Sequence, residues 1–247
     1  MENIDLTDFE FNFDAKMFII DKGLSDQLCD QLIDYAENKK FGDNQVNKLG
    51  KEWKDLSIRN DKSLLVENDF ITGILYNVAK VNLPNNIPTA LNNKIRMSKF
   101  EEDTFCAPHQ DFQITIGDTI SKYTMLVYLN DTNGEGVTRF FSHKSMKYRD
   151  ITPGKGRVVI FDQRIPHCAL DITGNNVKYT IRTDLMYNNV KPFTANPGEF
   201  STFKSHTISR DLFSGKPLTA NFKDVKPLEY TTMTTNTNIV GALSILD

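Results

Sequence analysis

Three side chains in the middle of the sequence could hold a metal ion together. His109 and Asp111 are separated by one residue, in a segment with β-strand character. Because successive residues of a strand point to opposite faces, these two side chains would project from the same face. His167, much later in the chain, offers a second imidazole. Two imidazoles and one carboxylate fill three positions on an iron(II) ion and leave three open, so these residues predict a metal centre.

Two cations follow His167 and could serve the same centre. Lys178 and Arg182 lie four residues apart in a segment that reads as a strand. In a regular strand both side chains would point to one face. A cation in this place could pair with a carboxylate of a small acid bound at the metal, through a charge-assisted hydrogen bond. The spacing alone leaves open which of the two would do so.

Composition restricts the class of protein. The 247 residues include 39% hydrophobic and 25% charged residues and carry a net charge of −3, which are ordinary values for a globular domain. Scattered lysines and arginines form no basic patch, so we expect neither a nucleic acid nor a membrane as partner. The acidic start has no apolar segment of a signal peptide, and a soluble, cytoplasmic protein is expected. Cys29, Cys106 and Cys168 are expected to be free, packed thiols.

The hydrophobic pattern predicts helices first and strands afterwards. A strand over residues 16–21 precedes a helix capped by Ser25, and a second helix is predicted over about residues 66–82. The polar stretch 41–60, which contains Trp53, reads as a long loop that could lie over a site. Strands are then predicted at residues 94–100, 105–116, 123–130, 137–141, 157–162 and 178–187.

This order favours an α+β, mainly β architecture in which helices buttress a β-sandwich or barrel. Gly-rich turns at residues 133–136 and 153–156 mark corners between strands. We expect residues 1–93 to form an N-terminal strand and helical buttress of the same domain as the core at residues 94–190. The Pro-, Thr- and Asn-containing residues 191–247 are expected to form an irregular C-terminal extension.

An ordered set of segments over residues 94–187 resembles a known family. The segments are Arg96 to Phe100, Phe105 to Asp111, Tyr123 to Asp131, Gly136 to Phe140, Pro153 to Gly156, and His167 with Gly174 to Tyr187. Together they are similar to the prolyl 4-hydroxylase-like branch of the 2-oxoglutarate- and Fe(II)-dependent dioxygenases. One departure is the turn Gly134-Glu135-Gly136-Val137-Thr138, where the branch often has Gly-Gly-x-Thr, which leaves the register of this turn open.

The resemblance implies a double-stranded β-helix, or jelly roll, with the metal inside its mouth. It further implies that His109, Asp111 and His167 bind Fe(II). For the distal carboxylate of 2-oxoglutarate it implies Lys178 together with the hydroxyl of Tyr128. Arg182 is the alternative, because some branches place an arginine at about this spacing. Asp111 argues against the halogenating relatives, in which a small residue replaces the carboxylate.

The activity implied is hydroxylation of an unactivated C–H bond with release of succinate and CO2. O2 would be consumed, ascorbate is a candidate reductant, and the substrate would be a prolyl residue of a peptide, a free amino acid or another small molecule. Trp53, Arg59 and Arg139 are candidates for substrate contacts. The alternative is a non-catalytic jelly-roll binding module with a vestigial metal site. A zinc hydrolase with the same ligands would lack an evident general base.

Overall fold

The computed structural model describes residues 1–9, 11–43, 46–48, 51–53, 59–143 and 147–188. The predicted C-terminal extension, residues 191–247, therefore lies outside the described residues. The helices are α1 Asp26–Lys39 and α2 Asp69–Asn82. The strands, in chain order, are β1 Glu2–Asn3, β2 Met17–Ile20, β3 Gly42–Asp43, β4 Val46–Lys48, β5 Lys51–Trp53, β6 Lys62–Glu67, β7 Ala90–Leu91, β8 Lys94–Phe100, β9 Cys106–His109, β10 Thr115–Ile116, β11 Thr119–Tyr128, β12 Thr138–Phe141, β13 Tyr148–Ile151, β14 Val158–Asp162, β15 His167–Ala169 and β16 Lys178–Asn188.

Two antiparallel sheets form the core. The larger has ten strands, and its main path runs β1-β2-β14-β11-β16-β8-β6-β3, with β10 beside β11 and β7 beside β16. The smaller sheet has the order β13-β12-β15-β9. Among the strands that the structure describes, β4 and β5 pair with each other alone. Mostly antiparallel sheets with few helices agree with the jelly-roll core predicted from the sequence.

Each helix begins directly after a capping residue, and the first of these, Ser25, was predicted from the sequence. The Ser25 hydroxyl accepts a hydrogen bond from the Leu28 amide, and the Asn68 side chain accepts from the Phe70 and Ile71 amides. These bonds satisfy backbone donors of the first turn, which have no partner within a helix. Leu32 and Leu75 are buried on the stripes that face the large sheet.

The two faces of the large sheet belong to two hydrophobic clusters. One face packs on α1 and α2 through a large cluster that includes Ile95, Met97, Ile160 and Ile181. The opposite face points to the small sheet, where a second cluster joins Tyr128 and Phe161 of the large sheet to Phe140 of the small one, among others. The metal-binding candidates belong to the small sheet or lie beside its edge, and their side chains face this second face of the large sheet.

Several sequence-based predictions of secondary structure need correction. The strand predicted over residues 105–116 is divided into β9 and β10, so Asp111 lies outside both. The second helix begins at Asp69 rather than near residue 66, because Asn68 caps it and residues 62–67 form β6, which pairs with β8. The stretch 41–60 contains β3, β4 and β5 rather than being a continuous loop. β13 and β15 were not predicted, since β13 begins with polar residues and β15 is only three residues long.

The three cysteines are free and buried, as predicted for small packed thiols. Neither helix in the described parts of the chain is long and apolar enough to cross a membrane.

Candidate metal centre

The small sheet brings the two histidines together. His109 ends β9, His167 begins β15, and the two residues are paired directly across these antiparallel strands. Their ring centroids are 4.4 Å apart. Asp111 lies just beyond the end of β9, where its amide donates a hydrogen bond to the Gln163 carbonyl at 3.1 Å. The cross-strand pairing of the two histidines and the hydrogen bond of the Asp111 amide therefore bring all three side chains close together.

The donor atoms are spaced as a metal site requires. The Nε2 atoms of His109 and His167 lie 3.7 and 3.8 Å from the two carboxylate oxygens of Asp111. One ligand atom from each residue lies within 4.8 Å of the others. Neutral imidazoles with one carboxylate are a donor set that suits Fe(II). The residues present thus fit the metal that the sequence predicts.

Backbone carbonyls orient both imidazoles. The Nδ1 atom of His109 is 2.8 Å from the Ala107 carbonyl oxygen, and that of His167 is 3.0 Å from the Ile165 carbonyl oxygen. A carbonyl can only accept, so each Nδ1 carries the proton and donates it, which leaves the Nε2 lone pair for a metal. Burial lowers the pKa of His109, and burial with the neighbouring imidazole lowers that of His167 to about 4. Both rings are therefore neutral at pH 7.

Asp111 is held as a carboxylate. Burial opposes its ionisation, but the Arg182 guanidinium and the two imidazoles together keep its pKa well below the ordinary value. The Thr124 hydroxyl donates to one oxygen at 2.5 Å, and an Arg182 nitrogen lies 3.2 Å from the other. Arg182 also contacts Asp184 at 2.8 Å. These neighbours fix the orientation of the carboxylate toward the imidazoles.

Lys178 is a buried cation on the same face. Only 1% of its surface is exposed, and its ammonium donates to the Gly136 carbonyl at 2.7 Å and lies 4.2 Å from the centre of the Phe100 ring. No carboxylate of the described residues comes within 4.0 Å of it. Burial lowers the pKa of Lys178 to about 8, which leaves the group mostly protonated at pH 7.

Gly136 settles the register of the turn that the sequence left open. Its φ of +58° lies in the left-handed region, and an added Cβ would meet Ile172 at 2.7 Å and the Lys178 side chain at 3.5 Å. Only glycine suits both the conformation and the space. Gly136-Val137-Thr138 is therefore the part of the turn that packs against Lys178 and leads into β12.

Tyr128 and Arg182, the other cosubstrate candidates, have protein partners. The buried Tyr128 hydroxyl donates to the Thr138 hydroxyl at 2.7 Å, and burial raises its pKa. Thr138 pairs with β15 and follows Gly136 by two residues, so Tyr128 lies beside the end of the site that holds Lys178. Arg182 instead contacts the carboxylate of the metal candidate Asp111. The structure thus separates Lys178 and Arg182 by their surroundings.

The remaining candidates lie in different places. Arg59 is bonded through two nitrogens to both oxygens of Asp61, each at 2.8 Å, on the strand edge beside Cys106. Arg139 is paired with Asp150 and stacked on Tyr148, which indicates a structural role on the small sheet. The Trp53 side chain lies outside the described residues.

Two residues near the centre were missed as functional candidates. The Thr124 hydroxyl on β11 donates a hydrogen bond to Asp111, and Arg96 on β8 lies directly opposite Arg182. Alternation along each strand could have put them on the site face once strand pairing was known. Pairing between distant segments is not visible in one sequence, so the signal was incomplete.

Comparison with known proteins agrees with this geometry. Residues 95–183 match the model of the 2OG-Fe(II) oxygenase superfamily. This match confirms the resemblance inferred from the sequence. A search of curated protein sequences gave no match.

Solved structures of similar fold include several prolyl hydroxylases. A prolyl-4-hydroxylase from Pseudomonas putida is 14% identical with a TM-score of 0.53, covering 70% of this chain and 92% of its own. A prolyl hydroxylase from Trichoplax adhaerens, solved with a hypoxia-inducible-factor peptide fragment, is 18% identical with a TM-score of 0.53, covering 70% and 84%. The viral collagen prolyl hydroxylase of Paramecium Bursaria Chlorella virus-1, solved as a 2OG complex, is 19% identical with a TM-score of 0.50, covering 69% and 96%. At these identities the similarity shows a shared fold and nothing further.

Proposed function

We propose that this chain is an Fe(II)- and 2-oxoglutarate-dependent hydroxylase, with His109, Asp111 and His167 as metal ligands and Lys178 as the cation for the distal carboxylate of 2-oxoglutarate. The observation that carries the proposal is the ammonium of Lys178. It is buried on the face that points to the ligand set, and no described carboxylate lies within 4.0 Å of it, although Asp61 raises its pKa from a greater distance. An uncompensated buried charge is costly, so this position favours an anionic ligand.

Bound iron and 2-oxoglutarate would supply the oxidising chemistry, which inserts one oxygen atom of O2 into a C–H bond and releases succinate and CO2. The protein side chains then have three tasks. His109 and His167 present fixed lone pairs, and Asp111 presents a fixed negative charge. Lys178 and Tyr128 orient the far end of the cosubstrate. No side chain needs to act as a general base.

Aromatic residues shield the ligand set from water. The Phe161 ring lies 4.8 Å from the His167 ring in a T-shaped arrangement, and Phe140 stacks on His167 at 5.7 Å. Both phenylalanines are fully buried in the cluster between the sheets. The exclusion of water by these rings strengthens the electrostatic interactions at the metal.

Two substrate classes are candidates for this site. The prolyl hydroxylases among the similar folds favour a prolyl residue in a peptide, and a free amino acid is the second candidate. The experiment is to incubate the iron-loaded protein with 2-oxoglutarate, ascorbate and pools of metabolites and peptides. Succinate release should accompany a product heavier by one oxygen atom, detected by mass spectrometry. Absence of metal-dependent binding of 2-oxoglutarate would instead favour the non-catalytic binding module.

A further inference from the structure

A second cation faces the site, and none of the described carboxylates forms an ion pair with it. Arg96 on β8 is the direct cross-strand neighbour of Arg182 on β16. Directly paired residues of antiparallel strands share a face, so Arg96 points to the same side as Arg182, which contacts Asp111. Arg96 therefore lies at the level of the metal ligands along the sheet.

The neighbouring arginines have carboxylate partners within 4.0 Å, whereas Arg96 is influenced by Asp61 only from a greater distance. Arg59 is paired with Asp61, and Arg182 with Asp111 and Asp184. Among the described residues no carboxylate lies within 4.0 Å of the Arg96 guanidinium. Burial and the charges of Arg59 and Arg182 lower the pKa of Arg96 to about 10, so it stays charged at neutral pH.

The pairing of Arg96 with Arg182 is electrostatically unfavourable in the ligand-free protein. Like charges placed directly opposite on neighbouring strands destabilise a sheet. The Arg96–Arg182 pair also borders Leu65 and Leu126, the next residues across the sheet on either side, which provide no charge. A ligand that brings a negative charge to Arg96 would remove the penalty.

The position of Arg96 separates it from the distal cosubstrate pocket. Lys178 and Arg182 are four residues apart on β16, which corresponds to about 13 Å along a strand. A cosubstrate that bridges the metal and Lys178 extends away from Arg182. Arg96 lies at the Arg182 end of this line, where a second organic ligand would approach the metal.

A charge count indicates how much negative charge the ligand brings. The guanidinium groups of Arg59, Arg96 and Arg182 equal in number the carboxylates of Asp61, Asp111 and Asp184, although these carboxylates are paired with Arg59 and Arg182. Fe(II) and the dianion of 2-oxoglutarate also balance each other. The ammonium of Lys178 then leaves the loaded site with one positive charge in excess, which one carboxylate would neutralise. A phosphomonoester carries about 1.5 to 2 negative charges at pH 7 and would overshoot.

We propose that Arg96 is a specificity-determining residue that binds a carboxylate of the substrate, so that this enzyme acts on a carboxylic acid. The inference rests on the proposed hydroxylase function and names the substrate class of the same site. A planar guanidinium binds both oxygens of a carboxylate through two parallel hydrogen bonds, which fixes orientation as well as position. The target C–H bond would thereby be held at a set distance from the metal.

The test uses the full chain loaded with Mn(II) and 2-oxoglutarate, because Mn(II) occupies the ligand set without turnover. Calorimetry measures binding of N-acetyl amino acids, their carboxamides, blocked peptides with glutamate or glutamine, and phosphomonoesters. The small acids and the glutamate peptides distinguish a metabolite from a peptide as the source of the carboxylate. Arg96→Gln and Arg96→Lys are compared with Arg149→Gln, which removes one positive charge from β13 of the small sheet.

At least one carboxylate should bind the wild-type protein, and its carboxamide should bind at least about tenfold more weakly. Arg96→Gln should weaken the carboxylate by about 10- to 100-fold, as expected for a charged hydrogen bond. Arg96→Lys should recover part of this loss, and Arg149→Gln should bind like the wild type. Unchanged 2-oxoglutarate affinity in Arg96→Gln shows that the variant is folded.

Several results would overturn the inference. These are equal binding of carboxylates and carboxamides, preference for phosphomonoesters, no bound carboxylate in the panel, or equal binding by Arg96→Gln. Loss of 2-oxoglutarate affinity in Arg96→Gln would assign Arg96 to the cosubstrate instead. If the metal-loaded wild type fails to bind 2-oxoglutarate, the proposed hydroxylase function itself is wrong, and this outcome is distinct from the others.

Discussion

The two faces of the ten-stranded sheet differ sharply in chemistry. On β8, Ile95 and Met97 point to the helices and are buried in the large apolar cluster. The alternating residues Arg96 and Ser98 point to the metal ligands. β16 repeats the pattern, with Ile181 on the helix face and Lys178, Thr180, Arg182 and Asp184 on the site face.

This contrast separates stability from function at single-residue resolution. The helix face buries apolar surface, which is the main favourable term in folding. The site face buries charges and hydroxyl groups, which contribute little to stability and can reduce it. Because side chains alternate between the two faces, one residue of a strand contributes to the stability of the core and the next contributes to the site. Substitutions on each face should therefore be seen in different measurements.

The largest effect is expected from removing the charged metal ligand. Asp111→Ala should weaken Mn(II) binding on the order of 1000-fold, more than the 10- to 100-fold typical for loss of an outer-shell partner. Folding should be retained, because Arg182 keeps Asp184 as its ion-pair partner. Calorimetry with Mn(II) and thermal unfolding measure the two quantities. Tight Mn(II) binding by the variant would place the metal elsewhere.

On the opposite face, Ile181→Ala should lower stability without touching ligand binding. Ile181 is fully buried, and truncation to alanine removes buried surface and leaves a cavity. The expected loss is about 2–5 kcal/mol in the free energy of unfolding, against about 0.5–1.5 kcal/mol for the control Ile181→Val. Denaturant unfolding measures both. A change in Mn(II) or 2-oxoglutarate affinity below the unfolding transition would contradict the separation of the two faces.

The sequence predicted the metal candidates better than it predicted their surroundings. His109 and Asp111 share a short local motif, and β8 was predicted with its correct bounds because Ile95 and Met97 alternate with polar residues and Phe100 ends the run. β15 carries His167 but is too short to show a period. The opposition of Arg96 and Arg182 depends on the pairing of β8 with β16, which local patterns do not encode.

The start of the second helix also depends on strand pairing that the local sequence does not reveal. Residues 66–68 fit the helical period of the following segment, yet Val66 pairs with Ile95 in the sheet. Tertiary pairing overrides local propensity there, and Asn68 marks the true start because its side chain caps the first turn. The pairing of β6 with β8, which sets this boundary, joins segments about 30 residues apart and is not encoded in the local pattern.

On the site face, substitution of Lys178 should weaken the binding of 2-oxoglutarate, whereas substitution of Arg182 should weaken the binding of Mn(II). Lys178→Met should weaken 2-oxoglutarate binding about 100-fold, since it removes a charged hydrogen-bond donor, and leave Mn(II) affinity unchanged. Arg182→Gln should weaken Mn(II) binding about tenfold, because Arg182 orients Asp111. At saturating Mn(II), Arg182→Gln should retain near-normal 2-oxoglutarate affinity. Calorimetric titrations with each ligand measure all four values.

The reverse pattern would assign the distal carboxylate to Arg182. If neither variant changes the 2-oxoglutarate affinity, the cosubstrate pocket has been placed wrongly. Lys178→Met offers an internal check on folding, because it replaces a buried unpaired charge by an apolar side chain of similar length. Its melting temperature without ligands should equal or exceed that of the wild type.

The smallest expected effect is a pH dependence that belongs to one face only. The pKa of Lys178, lowered by burial to about 8, implies that the ammonium loses its proton above pH 8 in the ligand-free protein. The 2-oxoglutarate dissociation constant should then rise by about tenfold per pH unit from pH 8 to 9.5. The same shift means that the unfolded chain holds this proton more tightly, so a penalty on folding that is complete below pH 8 is relieved towards pH 10. Lys178→Arg, which stays charged, should flatten the binding profile, whereas an equally steep profile in this variant would trace the titration to another group.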